Sequence, residues 1–160
     1  MYGGETYMNK FWKMVVGLFF VFSLTGCFGE SYNFNPPSVK LSSNSTIESE
    51  ELAEANIVWR GEGNKVKKEL KIKDISSLAK QQPKMNFIAG EKVDLLFEHT
   101  DFAPKGLSVS VWQNDKKSDL KVSDISFNLP KNKGEYVIEV NLHTDRGDAQ
   151  YVGKINIVEH

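Results

Sequence analysis

Hydrophobic and polar side chains alternate along much of the second half of the chain. The alternation covers residues 93–97, 107–111 and 136–142, and serines separate Leu107, Val109 and Val111. Successive side chains of a strand point to opposite faces of a sheet, so this pattern is typical of strands that bury one face. We therefore expect half-buried β-strands in all three segments.

A long β-hairpin is predicted near the C-terminus. Residues 136–142 and residues 151–157 each place their apolar side chains on one face, and Thr144-Asp145-Arg146-Gly147-Asp148 separates the two segments. Glycine tolerates the positive φ that tight turns require, which explains Gly147. Two patterned segments joined by such a loop are typical of a hairpin.

Weaker strand patterns lie at residues 39–42, 56–59, 66–72, 85–88 and 126–129. The total is about eight strands, with turn residues between them. Residues 74–82 are the one helical candidate, because Asp74 is a suitable N-cap and Pro83 ends the run. Short strands that do not alternate with helices predict an all-β sandwich or barrel.

Length and composition limit the classes of protein that fit. The chain has 160 residues, of which 40% are hydrophobic and 26% charged, and its net charge is −1. One globular domain with a packed core is expected from these values. A near-neutral chain lacks the basic surface that binds nucleic acid, so nucleic acid is not expected as a partner.

The N-terminus has the three parts of an export signal. Lys10 and Lys13 precede an apolar run from Met14 to Leu24, and small residues follow before Cys27. The run is shorter than the roughly 20 residues that a helix needs to span a bilayer, so cleavage is favoured over a permanent span. Leu24-Thr25-Gly26-Cys27 resembles the lipobox of bacterial lipoproteins.

This resemblance implies transfer of a diacylglyceryl group to the Cys27 thiol and cleavage between Gly26 and Cys27. Cys27 is the only cysteine, so no intramolecular disulfide can form and lipidation gives the thiol a use. The alternative is an ordinary signal peptide that leaves a free thiol. Two acyl chains anchor a protein stably. The protein is therefore expected on the extracytoplasmic face of the cell membrane.

These features divide the chain into three parts. Residues 1–26 are the predicted signal peptide, residues 27–37 the lipidated cysteine and a tether rich in Asn and Pro, and residues 38–160 the folded domain. Translation from Met8 gives a more typical leader than translation from Met1, because Glu5 brings a carboxylate into a region that is normally cationic. Both starts stay open.

Tyr136 favours one kind of sandwich. Asn132-Lys133-Gly134-Glu135-Tyr136 opens the second-last predicted strand, where immunoglobulin-like domains often have a tyrosine corner. The chain thus resembles small immunoglobulin-like lipoproteins of Gram-positive bacteria, whose functions are mostly unassigned. This resemblance implies an immunoglobulin-like β-sandwich of about 7–8 strands. It implies no activity.

Few residues are suited to catalysis or metal binding. The histidines are His99, His143 and His160, and neither a Gly-x-Ser-x-Gly elbow nor a helical Ser-x-x-Lys pattern occurs. Since a nucleophile needs an adjacent base and an orienting group, we do not expect an enzyme. We expect no cofactor or metal, because structural zinc requires four Cys or His ligands at short spacings.

Two acidic pairs and one tripeptide have simple structural explanations. Asp145 with Asp148, and Asp115 with Asp119, could offer oxygen to calcium, but turn formation is the simpler role. Arg146-Gly147-Asp148 matches the tripeptide of integrin ligands and is expected to be exposed at the hairpin tip. The turn alone explains its glycine.

Trp112 and His99 are the candidate binding residues. If residues 107–111 face the core, Trp112 points outward, and an exposed tryptophan can mark a contact site. The alternative is that a neighbouring strand or loop covers Trp112. His99 follows a predicted strand, where a solvated loop histidine is expected, and His143 is expected on the surface. Trp59 is expected in the core.

Two function classes follow. The favoured one is a noncatalytic, membrane-anchored lipoprotein whose sandwich binds an envelope protein or a cell-wall partner. The alternative is an extracytoplasmic receptor for a small molecule, which would require a cavity, whereas a sandwich core of this size is usually filled by its own side chains. A hydrolase is third and would require a polar cleft that holds His99 or His143 with a nucleophile.

The Cys27→Ala variant tests the anchor. We expect no incorporation of labelled palmitate, because the acylated thiol is absent, and we expect the precursor either to stay in the membrane or to be released; labelling, fractionation and the mass of the intact protein measure these outcomes. Ser31→Ala in the tether is the control and should be labelled normally. Label in the Cys27→Ala protein would contradict the assignment, and N-terminal sequencing of its precursor separates a start at Met1 from one at Met8.

Overall fold

The computed structural model describes residues 32–45 and 49–159. The residues from Asn33 onward form one compact unit. The predicted signal peptide, Cys27, most of the tether and His160 lie outside the described residues, so what the sequence predicts for them stays a prediction.

The described chain contains eleven strands and the helix α1, Ile75–Lys80, together with a 3₁₀ turn at Glu62–Asn64. The strands are β1 Val39–Ser43, β2 Ala53–Arg60, β3 Val66–Leu70, β4 Lys84–Ile88, β5 Lys92–Phe97, β6 Pro104–Gln113, β7 Lys116–Leu120, β8 Val122–Ser123, β9 Ser126–Asn128, β10 Gly134–Thr144 and β11 Gly147–Val158.

These strands form two sheets that pack together. The smaller sheet has the order β1-β5-β9-β8, and the larger sheet has the order β3-β2-β11-β10-β6-β7. Neighbouring strands are antiparallel except for β4, which pairs in parallel with residues 154–158 at the end of β11. The result is an all-β, immunoglobulin-like sandwich, which confirms the predicted fold class.

The described residues form eleven strands, more than the predicted total of about eight. The nine segments named from the sequence match nine of them, and the sequence pattern misses β7 and β8. Four of the five residues of β7 are exposed, and its sequence is KKSDL. An edge strand without a buried face shows no apolar alternation, so it cannot be detected from periodicity. Lysines on such an edge also discourage pairing with another chain.

The core confirms the alternation read from the sequence. Ile138, Val140 and Leu142 of β10 are at most 2% exposed, and Tyr151 of β11 is fully buried. They belong to one cluster that joins both sheets and includes Trp59, as predicted. Burial of one such side chain is worth about 1.5–3 kcal/mol, so this layer is the main source of stability.

A second, smaller apolar cluster lies where α1 packs on the larger sheet. Asp74 caps the helix as predicted, since its carboxylate accepts from the Ser77 amide at 2.9 Å. Ala79 of the helix is fully buried in a cluster with three residues of the sheet, Ala55, Val137 and Val152. The helix therefore covers an apolar part of the face that points away from the main core.

Tyr136 forms the predicted tyrosine corner. Its hydroxyl donates to the carbonyl oxygen of Asn132 at 3.0 Å, four residues earlier in the chain. This bond holds the loop before β10 against the sandwich, which is the role of that tyrosine in immunoglobulin-like domains.

Packing begins before residue 38, where the sequence placed the start of the domain. Pro36 and Pro37 are buried, and the Pro37 carbonyl accepts from the Tyr151 hydroxyl at 2.6 Å. The Asn33 amide donates to Asp101 Oδ2 at 2.8 Å. The last residues of the predicted tether are thus part of the folded unit.

The expectation of an exposed Arg146-Gly147-Asp148 tripeptide is wrong for its first two residues. Gly147 is buried and pairs with Trp59 of β2, and Arg146 is 24% exposed with its guanidinium 5.2 Å from the ring of Phe34. β2 reaches the turn itself, which the hairpin pattern alone could not reveal. The predicted positive φ of Gly147 is confirmed at 134°.

The Tyr151→Phe variant tests the hydrogen bond between the Tyr151 hydroxyl and the Pro37 carbonyl. We expect a loss of about 1–3 kcal/mol in the free energy of unfolding, because a buried carbonyl loses its donor. Urea unfolding at pH 7 measures this. Tyr136→Phe is the comparison and should cost less, since its bond is only partly buried and water can replace the hydroxyl. Equal losses of unfolding free energy in the two variants would contradict a special role of the Tyr151–Pro37 hydrogen bond.

The stability of the wild type and that of the Tyr151→Phe protein should also respond differently to high pH. Burial, and then the charges of Glu54 and Glu51, raise the pKa of Tyr151 far above its ordinary value of 10.0. The folded state therefore keeps the proton that the unfolded state releases, so the wild type loses stability as pH rises above that value. The Tyr151→Phe protein should lack this part of the loss.

Candidate functional site

Polar side chains from four strands form a row across the outer face of the larger sheet. Asn141 of β10 lies opposite Gln150 of β11 on one side and opposite Ser108 of β6 on the other. Asn56 of β2 extends the row, since its Nδ2 donates to Gln150 Oε1 at 2.5 Å. We call these four residues the polar row. Because strand side chains alternate, the row points away from the main core.

Glu139 is a buried carboxylate next to the polar row, and it is 4% exposed. It accepts hydrogen bonds from Trp112 Nε1 at 2.7 Å, Asn141 Nδ2 at 2.9 Å and Gln150 Nε2 at 3.0 Å. Lys117 Nζ lies 3.3 Å from both carboxylate oxygens. A buried carboxylate is tolerated only when it is paired and hydrogen-bonded, and these donors meet that requirement.

The environment of Glu139 keeps it ionised. Burial by itself raises the pKa of the carboxyl, but hydrogen bonds from Asn141 and Trp112 and the charge of Lys117 together outweigh burial, so the pKa is lowered. Hydrogen bonding to the charged form is the cause that decides the sign. Glu139 is therefore a fixed negative centre that orients its donors.

Trp112 points away from the main core, as predicted, and is half-buried. Its indole donates to Glu139, Lys117 Nζ lies 5.2 Å from its ring centroid, and its side chain packs on the cluster under α1. Neighbouring strands thus cover much of Trp112, in line with the alternative of a covered tryptophan.

One groove lies between α1 and the turn that joins β6 to β7. We call it the helix-side groove. Trp112 and Val137 line it together with residues of the helix and the turn, and its volume is about 590 Å³. Ligand pockets are usually about 300–1,000 Å³ and largely enclosed. This groove has a suitable volume, but it is open to solvent.

A second groove lies on the other side of Glu139, toward the β10–β11 turn. We call it the hairpin-side groove; its volume is about 510 Å³. All four residues of the polar row line it, and among the described residues its lining includes no lysine or arginine. Its remaining lining residues are Gly106, Leu107, Leu142, His143, Asp148 and Ala149.

His143 and Asp148 form a pair in the hairpin-side groove. His143 Nδ1 lies 2.5 Å from Asp148 Oδ1, and the two side chains are 57% and 70% exposed, which agrees with the surface position predicted for His143. Ser108 lines the same groove, but within the described chain its hydroxyl makes no hydrogen bond to His143. Ser108 is therefore not paired with His143 as a base.

His99 is mostly covered by its surroundings, which corrects the expectation of a solvated loop histidine. Its side chain is 12% exposed, its ring packs edge-on against Phe102 at 6.2 Å, and Nδ1 accepts from the Asp101 amide at 3.3 Å. The loop after β5 folds back on the sandwich, and this packing is invisible in the local sequence. His99 lines neither groove.

The acidic residues considered for calcium have local partners. Asp145 Oδ1 accepts from the Ala103 amide at 2.7 Å, Asp119 Oδ1 accepts from the Ser110 hydroxyl at 2.8 Å, and Asp148 pairs with His143. Within the described ranges, no group of three or more His, Cys, Asp or Glu residues could hold a metal ion. Turn and strand geometry account for these residues.

Sequence reasoning missed Glu139, Asn141 and Gln150. The signal was present, because Glu139 and Asn141 occupy the polar positions of a strand whose other positions are core. The hairpin turn also fixes Asn141 opposite Gln150. Burial of the carboxylate could not be foreseen, since it depends on Trp112 and Lys117 from two other strands.

No protein-family model matches the chain, and no curated protein matches it. In the part of the chain that the structure describes, none of the helices has the length and apolar character needed to cross a membrane.

The Glu139→Gln variant tests the buried network. At pH 7 we expect a loss of about 2 kcal/mol or more in the free energy of unfolding, because the amide removes the charge and faces its own donors toward those of its neighbours. Urea titration measures this. Glu135→Gln, the same change at an exposed position of the same strand, is the matched control and should have little effect.

The loss of unfolding free energy in the Glu139→Gln protein should become smaller as pH falls. The lowered pKa of Glu139 stabilises the fold above the ordinary value of 4.5, and this contribution disappears as pH falls through the folded-state pKa. The difference between the wild type and Glu139→Gln should therefore narrow at pH 3. A difference that stays constant between pH 7 and pH 3 would mean that the charge has no role.

Proposed function

We propose that this protein is a noncatalytic lipoprotein, anchored through Cys27 on the extracytoplasmic face of the membrane, and that its sandwich binds an envelope protein or a cell-wall partner. The outer face of the larger sheet is the binding surface. The observation that supports it is the pair of open grooves on either side of a rigid, charge-stabilised centre at Glu139.

Open grooves favour a large partner over a small molecule. A small-molecule receptor normally encloses about 70–90% of its ligand's surface, which requires a deep cavity. The space between the two sheets is instead occupied by packed side chains such as Trp59, Phe87 and Tyr151, each at most 1% exposed. An open surface groove contacts only one side of a ligand, and such a contact suits a polymer chain or the surface of another protein.

Rigidity of the face also supports binding. Asn141 and Gln150 are held by Glu139, and Asn56 is held by Gln150 and by the Ile72 amide. Side chains that are already ordered lose less entropy when a partner arrives, so each contact contributes more to affinity.

The distance to the membrane limits where the partner lies. The folded unit begins at Asn33, six residues after Cys27. At a maximum of about 3.6 Å per residue, a lipid on Cys27 keeps the start of the domain within about 20 Å of the membrane. A partner in the envelope is within reach of such a domain.

Photocrosslinking in living cells tests this proposal. A benzophenone amino acid replaces Ser108 in the hairpin-side groove, Ser76 in the helix-side groove or Leu96, which is 45% exposed on the smaller sheet and is the control. We expect one envelope component to be enriched at Ser108 or Ser76 and not at Leu96, as measured by mass spectrometry of the adducts.

Two results would contradict the proposal. Equal capture at Leu96 would mean that the outer face of the larger sheet is not the binding surface. Capture that survives unchanged when Cys27→Ala protein is released from the membrane into the medium would mean that anchoring does not bring the partner within reach.

A further inference from the structure

The hairpin-side groove contains hydrogen-bonding atoms without partners. Within the described chain, Asn141 Oδ1, the Ser108 hydroxyl and His143 Nε2 make no hydrogen bond, although all three residues line the groove. Polar atoms on a protein surface are available to water or to a ligand. Here they are concentrated in one depression of about 510 Å³.

The neighbouring network determines the chemical character of these atoms. Glu139 accepts from Asn141 Nδ2, so the amide must turn its carbonyl oxygen, an acceptor, away from the carboxylate. Asp148 Oδ1 lies 2.5 Å from His143 Nδ1. A carboxylate accepts a hydrogen bond, so Nδ1 carries a proton, and Nε2 is an acceptor in the neutral form of the ring. Asp148 is itself an acceptor. The groove is therefore rich in acceptors.

The charge of the lining excludes polyanions. Its one acidic residue, Asp148, is paired with His143, and no lysine or arginine lines the groove in the described chain. Phosphate and carboxylate chains need cationic contacts, which arginine and lysine supply. An acceptor-rich groove without net positive charge instead complements a neutral ligand with many hydroxyl donors.

The polar row also has the length of a chain-like ligand. It crosses four adjacent strands, from Asn56 to Ser108. Three strand spacings of about 4.8 Å give about 14 Å, which exceeds one sugar ring. Gly106 has no side chain and that of Ser108 is small, so the groove stays open on the β6 side.

We propose that the hairpin-side groove binds a neutral, hydroxyl-rich glycan chain through Asn141, Ser108 and the His143–Asp148 pair. This deepens the proposed function and rests on it, because the partner would be a polysaccharide of the envelope. It assigns the groove a ligand class, whereas the helix-side groove stays free for other contacts.

The test uses the full chain with its own anchor in detergent micelles. Chitotetraose, cellotetraose and maltotetraose are the neutral probes, and polyphosphate is the anionic probe; titration calorimetry measures affinity. We expect at least one neutral probe to bind and polyphosphate not to bind. Failure of all three neutral probes at millimolar concentration, or binding of polyphosphate alone, would overturn the proposal.

Two variants locate the binding. A Cβ on Gly106 would lie 3.7 Å from His143 Cβ, an ordinary contact, so Gly106→Val fills the groove without straining the strand and should abolish binding. Ser108→Ala removes one hydroxyl and should weaken binding about three- to ten-fold. Ser118→Ala, an exposed serine of β7 outside the groove, is the control and should bind as the wild type does.

The outcomes separate this inference from the proposed function. Full binding by the Gly106→Val protein, with its melting temperature unchanged, would overturn the glycan site. If crosslinking at Ser108 in cells captures a protein and no neutral probe binds, the proposed function stands and the glycan assignment falls. If the probes bind but crosslinking detects capture at Leu96 equally, the groove is a glycan site and the wider binding face is wrong.

Discussion

The register of the β10–β11 hairpin determines both faces of the larger sheet. Its turn is fixed by Thr144, a buried residue whose hydroxyl accepts from the amides of Arg146 at 3.0 Å and Gly147 at 3.2 Å. Gly147 then lets β2 approach, since a Cβ there would lie 2.0 Å from the Val58 carbonyl oxygen. A shift of one residue would move every core side chain of the shifted strand to the outer face. The core and the candidate site therefore depend on one turn.

The same register places an ionised carboxylate on the outer face of a sheet whose other face packs into the main apolar core. Burying Glu139 costs free energy, and hydrogen bonds from Trp112, Asn141 and Gln150, with the charge of Lys117, offset that cost. Trp112, Lys117, Asn141 and Gln150 come from four strands, β6, β7, β10 and β11, so the network also fixes how those strands lie side by side. The helix α1 covers the apolar part of this face, and the polar row stays open. The order of these strands and the exposed polar row thus have the same origin.

The local sequence predicted the strands, the helix cap and the tyrosine corner better than it predicted which residues pack around a given side chain. The alternation in β6, β10 and β11, the cap at Asp74 and the corner at Tyr136 were all readable, because each depends on residues close together in the chain. Arg146 was misplaced because the distant residues Phe34 and Gly61 lie against it. His99 was misplaced because the loop after β5 folds back, so that Phe102 packs against its ring. Trp112 was correctly directed outward, but its contacts with Glu139 and Lys117 come from other strands.

The sequence by itself determined the all-β class, the main hairpin, the core side of its strands and the residues that end them. Those features follow from side-chain periodicity and turn chemistry, which act over a few residues. Only the tertiary structure decided which polar residues meet on the outer face, because Asn56, Ser108, Asn141 and Gln150 are brought together by the order of four strands. That order is set by packing between distant segments, and no local pattern in one sequence encodes it.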